Sequence, residues 1–128
     1  MNERKFTIKF HKWAKHFIKE SSVFEIKISK TKSMSFQAVK EHQIIALDLS
    51  QNKKLVYKIP DEGFSQKPFD MILLSNIKSY IVIFWYLKRG AKEFTIININ
   101  DWLKEIESSD RKSITYIRAC QIGNLYLL

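Results

Sequence analysis

Apolar residues recur along the chain with two different periods. Phe6, Phe10, Trp13 and Phe17 follow one another at steps of 4, 3 and 4, with Lys5, Lys9, Lys12, Lys15 and Lys19 between them. That spacing predicts a helix with one aromatic face and one basic face. Glu3, three residues before Phe6, lies on the edge of the apolar stripe. Ser21-Ser22 ends the helix, and from Val23 to Ser29 the period changes to two. Phe24, Ile26 and Ile28 point one way, while Val23, Glu25, Lys27 and Ser29 point the other. A strand with a charged pair on one face is predicted there.

A basic turn, Lys30-Thr31-Lys32-Ser33, leads to Ser35, whose hydroxyl suits the N-cap of a helix from about Phe36 to Ser50. On that helix Phe36, Val39, Gln43, Ala46 and Leu47 share a face, so Gln43 is an amide on an apolar stripe and needs a partner. After a connection at Gln51 to Lys54, strands are predicted at Leu55–Ile59, Phe69–Leu74, Tyr80–Leu87 and Glu93–Ile99. Pro60 to Pro68 reads as loop, and Leu87 to Lys92 as a hairpin turn with Gly90 at its tip. Asp101 opens a short helix, WLKEIE, and residues 108–128 have mixed patterning with no assigned element. This order predicts an α/β or α+β domain in which helices flank a mixed central sheet. A length of 128 residues fits one such domain over the whole chain.

The longest apolar run, Tyr80 to Leu87, falls short of the roughly 20 residues that a membrane span needs. The first residues are charged and lack the apolar core of a signal peptide, and the single Cys120 cannot form an internal disulfide. These features predict a cytoplasmic or other intracellular setting and no membrane partner. The net charge is +9, from 22 Lys and Arg against 13 Asp and Glu. Residues 1–60 hold 13 of the basic and 5 of the acidic residues, and residues 61–128 hold 9 and 8. Such an excess suits a polyanionic partner, nucleic acid foremost; a lysine-rich solubility surface has the same composition.

There is no GxGxxG, no P-loop and no GxSxG, and one cysteine cannot build a thiolate zinc site. His11, His16 and His42 lack the i, i+4 spacing that sets two imidazoles on one helix face. The candidate chemistry lies in carboxylates. In Glu25-Ile26-Lys27 the strand period sets an acid and an ammonium side by side, as a magnesium site beside a phosphate requires. Glu25 and the Ile26 carbonyl would bind the ion, and Lys27 would reach the water or a phosphate oxygen. An ion pair on an exposed strand has the same sequence. Asp70 stands at the mouth of a strand, Met71-Ile72-Leu73-Leu74, that is apolar on both faces and so reads as buried. A carboxylate there needs a cation or hydrogen-bond donors; capping a nearby turn is the alternative. Asp61, in Lys58-Ile59-Pro60-Asp61, has a similar setting but lies in a loop.

The succession Phe24-Glu25-Ile26-Lys27, Thr31-Lys32-Ser33, Ser35-Phe36 and Glu41-His42-Gln43 resembles a stretch of the Holliday junction resolvases of the PD-(D/E)xK nuclease superfamily. There an ExK strand runs through a basic turn into a helix with an HQ pair. Lys58 to Asp61 (KIPD) and Lys67 to Asp70 (KPFD) are similar to the strand pair that carries the metal-binding Asp in archaeal and phage relatives. Tyr80–Trp85 and Phe94–Ile99, then Asp101-Trp102-Leu103, resemble the closing strands and last helix. The usual order sets the Asp-bearing strands before the ExK strand, so the chain resembles a permuted member. The resemblance implies a restriction-endonuclease-like fold and an endonuclease that uses Mg2+ or Mn2+ on four-way or similarly branched DNA. It implies Asp70 and Glu25 as metal ligands, Lys27 as the residue that orients water or phosphate, and Gln43 as a helix amide at the site. Glu3 would complete the metal shell, although an acid in a helix's first turn is already favoured by the macrodipole. Lys5, Lys9, Lys12, Lys30, Lys32 and Lys67 would follow the DNA backbone. Paired nicking of a junction implies a twofold homodimer. The aromatic and β-branched strands 80–87 and 93–99, with Phe84, Trp85 and Tyr86, hold enough apolar surface for part of its interface; helices on both sheet faces would account for that surface equally. A nuclease acting on duplex, flap or single-stranded DNA, and a non-catalytic nucleic-acid-binding protein, are the alternatives.

Overall fold

The computed structural model describes residues 1–61, 63, 66–87, 90 and 92–128. In chain order the elements are α1 (Glu3–Phe17), β1 (Ser22–Ser29), β2 (Ser33–Ser35), a 3-10 turn (Phe36–Ala38), α2 (Glu41–Asn52), β3 (Lys54–Lys58), β4 (Met71–Ser75), β5 (Lys78–Trp85), β6 (Glu93–Asn98), α3 (Ile99–Ser108), β7 (Ser113–Thr115), α4 (Tyr116–Ile122) and β8 (Asn124–Leu127). The central sheet has the order β1-β5-β6-β8. Its first pair is parallel and the other two are antiparallel. A parallel pair needs a crossover, and α2 with the β3–β4 hairpin supplies it. The α+β class with a mixed sheet flanked by helices is therefore what the sequence patterning predicts.

Ile81, Val82, Ile83, Phe84 and Trp85 of β5 are each at most 1% exposed. Strand alternation sends Val82 and Phe84 into a cluster with Phe6, Phe10, Phe94 and Ile96 beneath α1. Ile81, Ile83 and Trp85 join Leu47, Ile97, Ile99 and Trp102 on the other face, beneath α2 and α3. Phe6 stacks on Phe84 with ring centroids 4.4 Å apart, and Trp13 meets Phe94 edge-on at 4.9 Å. The Trp85 indole N–H donates to the buried Thr95 hydroxyl at 3.0 Å, which removes the cost of burying both groups unpaired. Both faces of β5 and β6 are thus covered within one chain, so Phe84 and Trp85, expected to supply part of a dimer interface, are not available for it, while Tyr86, just past β5, is half-buried.

The predicted helix over Phe36–Ser50 is two pieces. Ser35 accepts a hydrogen bond from the Gln37 N–H at 3.2 Å, but it caps only the 3-10 turn. Val39 and Lys40 are extended, which lets Phe36 and Val39 both enter the core with Trp102 before α2 begins at Glu41. Helix α3 starts at Ile99 with Asn98 as its N-cap, earlier than Asp101. The unassigned C-terminal residues contain β7, which pairs with β2, then α4, and β8, which closes the sheet. Gly123 precedes β8, where an added Cβ would lie 2.5 Å from the Ile96 carbonyl oxygen. Part of the Pro60–Pro68 loop (62, 64 and 65) and part of the Leu87–Lys92 turn (88, 89 and 91) lie outside the described residues. Among the described residues, no helix is long and apolar enough to cross a membrane.

The largest correction concerns β4. It forms a two-stranded sheet with β3 alone, packed on α2, and is covered on one face only. Met71 and Leu73 are 48% and 55% exposed. An apolar run of four residues looks the same whether one or both of its faces become covered, so the run did not report which sheet it joins.

These environments predict unequal mutational costs. Phe84→Ala should destabilise the fold by about 3 to 5 kcal/mol, whereas Leu73→Ala should cost less than about 1 kcal/mol. Gly123→Ala should cost about 1 to 3 kcal/mol, because the strand β8 backbone has to shift. Urea unfolding followed by far-UV circular dichroism measures all three.

Candidate functional site

Strand β1 is the outer strand of the central sheet, and its alternation divides its side chains between the two cores. Phe24, Ile26 and Ile28 pack beneath α1, and Val23 packs on the α2 side. Glu25 and Lys27 share the Val23 face, beside Ile81 and Ile83 in the parallel register. Gln43 is the third residue of α2. Its carbonyl oxygen accepts a hydrogen bond from the Lys40 N–H at 3.0 Å, which satisfies one of the donors left free at a helix start. This bond fixes the amide, and its NH2 donates to Glu25 Oε1 at 3.0 Å. Lys27 Nζ lies 3.3 Å from the same oxygen. The side chains of Glu25 and Lys27 are 27% and 16% exposed, so the pair sits partly screened from water beside the first turn of α2. The partial positive charge of that turn favours the carboxylate. Three of the four residues expected at the site therefore meet, from two separate elements.

Asp70 does not join them. Its carboxylate is 90% exposed and lies 3.1 Å from Lys67 Nζ, and its carbonyl oxygen accepts a hydrogen bond from the Ile59 N–H at 2.9 Å. Lys67 also pairs with Asp61 and donates to the Ile59 carbonyl oxygen at 3.3 Å. KIPD and KPFD thus converge on one lysine at the loop end of the β3–β4 hairpin, beside the Lys58–Met71 pair. Among the described residues, no hydrogen bond or ion pair links Asp70 to Glu25, Lys27 or Gln43. The expectation of a buried Asp70 beside Glu25 fails because the hairpin packs on α2 as a separate sheet. Lys67, 18% exposed and paired with two carboxylates, is correspondingly poorly placed to follow a DNA backbone.

Glu3 lies in the first turn of α1, the helix that covers the sheet face opposite Glu25 and Lys27, so it does not complete a shell around them. Among the described residues there is no group of three or more His, Cys, Asp or Glu that could hold a metal ion. The three-carboxylate set of Asp70, Glu25 and Glu3 is not assembled. Glu25 Oε2 accepts no hydrogen bond from the described residues, and Ile26 contributes backbone only, its side chain lying in the opposite core.

The lysines separate into two groups. Lys30 and Lys32 are exposed on the turn after β1, where the buried Ser29 hydroxyl lies 2.9 Å from the carbonyl oxygens of both Thr31 and Ser33. Lys5, Lys9 and Lys12 line one depression on α1 together with Lys92 and Tyr86. The last two were not recognised from the sequence, because their proximity to α1 depends on how the helix crosses the ends of β5 and β6.

Near the C-terminus, Tyr116 donates a hydrogen bond to Glu93, and this bond, with burial, pushes the phenol well above its usual range. Burial pushes the Cys120 thiol up, which leaves it protonated near neutral pH and a poor nucleophile. Arg118 Nε donates to Glu105 Oε2 at 2.8 Å. These groups lie on β6, α3 and α4 and make no hydrogen bond to Glu25, Lys27 or Gln43.

Searches of protein-family models, curated proteins and solved structures find no match to this chain.

The Gln43 bridge predicts a defined pattern of stability. Gln43→Ala removes two hydrogen bonds and should cost about 1 to 3 kcal/mol. Gln43→Glu keeps the capping acceptor but sets a second carboxylate against Glu25, which raises the pair's proton affinity in the folded state. The variant should therefore be most destabilised near pH 7 and should recover part of the loss towards about pH 4 to 5, as the pair takes up a proton. Urea titrations of both variants at the two pH values test this.

Proposed function

We propose that the protein is a nucleic-acid-binding endonuclease that hydrolyses phosphodiesters at the Glu25–Lys27–Gln43 centre with Mg2+ or Mn2+, acting on branched DNA. The observation that carries this reading is the convergence of an acid, an ammonium and an oriented amide, from β1 and α2, at 3.0 and 3.3 Å. The resemblance to junction resolvases supports it, as does the excess of basic residues in the first 60 positions.

Magnesium is commonly held by one or two carboxylates, with water and substrate phosphate completing its shell. The free Oε2 of Glu25 and a backbone carbonyl of the outer strand suit such a partial set, and Asp70 is not needed for it. When bound, the ion would polarise the scissile phosphate and acidify a water. The chain's own residues then have separate tasks. Gln43 holds the Glu25 carboxylate in one orientation, and Lys27 stabilises negative charge as it grows on the phosphate oxygens. The water oxygen forms the new P–O bond and gives up its proton to solvent, one ester P–O bond breaks, and the departing alkoxide takes a proton from solvent. Backbone lysines without a base-reading element favour recognition of DNA shape over sequence, which makes the four-way junction the first substrate to offer.

Binding without hydrolysis is a second reading, favoured by the position of Asp70 and by the neutralisation of Glu25 within the protein. In that case the three residues brace β1 against α2.

The two readings are separated by incubating purified protein with labelled four-way junction, flap, duplex and single-stranded DNA in magnesium, manganese or chelator. Cleavage should require the metal. Glu25→Gln and Lys27→Ala should each lower it by about 10²- to 10³-fold while DNA binding persists. Absence of cleavage on every substrate, with binding intact, establishes the binding module instead.

A further inference from the structure

Lys5, Lys9 and Lys12 are separated by steps of four and three on α1, so their ammonium groups rise from one face of the helix. Lys92, just before β6, joins them around a depression of about 490 Å³ that Ile8 and Tyr86 also line. None of the four lysines has a carboxylate within 4 Å among the described residues. Four uncompensated ammonium groups in one hollow repel one another, and an anionic ligand relieves that repulsion. Lys12 also borders a second hollow, of about 410 Å³, with Lys15 and His16. The basic track therefore continues for about 15 Å along the helix axis, from Lys5 to Lys15.

The lining is not purely cationic. Ile8 is 53% exposed although it is apolar, and the Tyr86 ring lies beside Phe84 at 5.9 Å between centroids, which anchors it to the core. A regular row of ammonium groups beside a rigid aromatic and an aliphatic surface matches the two parts of an unpaired nucleotide strand: phosphates for the lysines and base faces for Tyr86 and Ile8. A duplex hides its base faces and offers only phosphates. A lipid bilayer meets protruding apolar residues, whereas these line a concavity.

We propose that this α1 groove binds a single-stranded nucleic-acid segment, with phosphates on Lys5, Lys9, Lys12 and Lys92 and a base against Tyr86. The groove lies on the face of the sheet opposite Glu25 and Lys27. It is a holding site, separate from the centre proposed for hydrolysis, and its occupancy does not depend on cleavage there.

Fluorescence anisotropy of the full chain with labelled oligo-dT and with a blunt duplex of equal length, in chelator and over a salt series, tests the proposal. Wild type should prefer the single strand. Lys9→Glu with Lys92→Glu should weaken its binding at least tenfold and reduce the slope of log affinity against log salt by about 1.4, the value for two lost single-strand phosphate contacts. Tyr86→Leu should weaken single-strand binding with little change in slope. Lys104→Glu with Lys112→Glu, the same charge change elsewhere, should leave both nearly unchanged. Circular dichroism of each variant confirms that it is folded. Wild-type affinity in the Lys9/Lys92 variant, equal loss in the Lys104/Lys112 control, preference for duplex, or tighter binding of poly-glutamate than of oligo-dT would each overturn the groove. The nuclease reading fails separately, through a lack of metal-dependent cleavage in protein that still binds oligo-dT here.

Discussion

Burial of β5 on both faces is the constraint from which the other placements follow. A strand that presents Val82 and Phe84 to one side and Ile81, Ile83 and Trp85 to the other is stable only with a layer on each side of the sheet. Helix α1 supplies one layer, and α2 with α3 supplies the other. Because β1 runs parallel to β5 in fixed register, the same alternation sorts the side chains of β1. Glu25 and Lys27 are sent beneath α2, and the aromatic partners of α1 are sent to the opposite face. The separation between the polar centre and the lysine-rich helix is thus a product of strand parity.

Much of this was legible in the sequence, because long elements with one clear period report their own orientation. The 4-3 spacing of Phe6, Phe10 and Trp13 shows which side of α1 faces the sheet, although Phe17, the last residue of the helix, stays exposed, and the alternation of residues 23–29 places Glu25 and Lys27 together. Gln43 was legible for a different reason, since an amide facing an apolar surface requires a partner, and Glu25 is that partner. Asp70 was misread because the inference from an apolar run to burial on both faces assumes that the strand enters the main sheet. The preference of β3 and β4 for each other, and of their hairpin for α2, is a tertiary outcome that four residues cannot encode alone. The C-terminal elements escaped detection because β7 and β8 have three and four residues, too few for a period. The break at Val39 and Lys40 was also hidden, as neither residue is a strong helix breaker and only the burial of Phe36 and Val39 requires it.

Polar contacts fix the arrangement that apolar burial alone would leave adjustable. Gln51, near the end of α2, forms a two-way amide pair with Asn98, with both distances 2.9 Å, and its carbonyl oxygen also accepts from the Ser79 N–H. Helix α2 is therefore tied to β5 and β6 near its end and to β1 near its start through Gln43. Two glutamines eight positions apart set the height and tilt of the helix over the sheet. In the same core Trp102 Nε1 is the one buried side-chain polar atom among the described residues without a hydrogen-bond partner. It lies in the layer held by shape, where Phe36 meets the Trp102 ring edge-on at 5.4 Å.

Gln43 serves two structures with a single amide, closing the backbone at the start of α2 and holding Glu25 through its NH2. Helix ends open far more often than the interior of a sheet, because few bonds are lost when a terminal turn unwinds. Each unwinding of residues 41–43 necessarily releases the Glu25 carboxylate from the amide and leaves it with Lys27 alone. The geometry of the acid therefore persists only as long as a helix terminus does. Its lifetime is set by local opening rather than by global unfolding, and the Lys40 amide proton, held by the Gln43 carbonyl oxygen, would exchange with solvent in step with the freeing of Glu25.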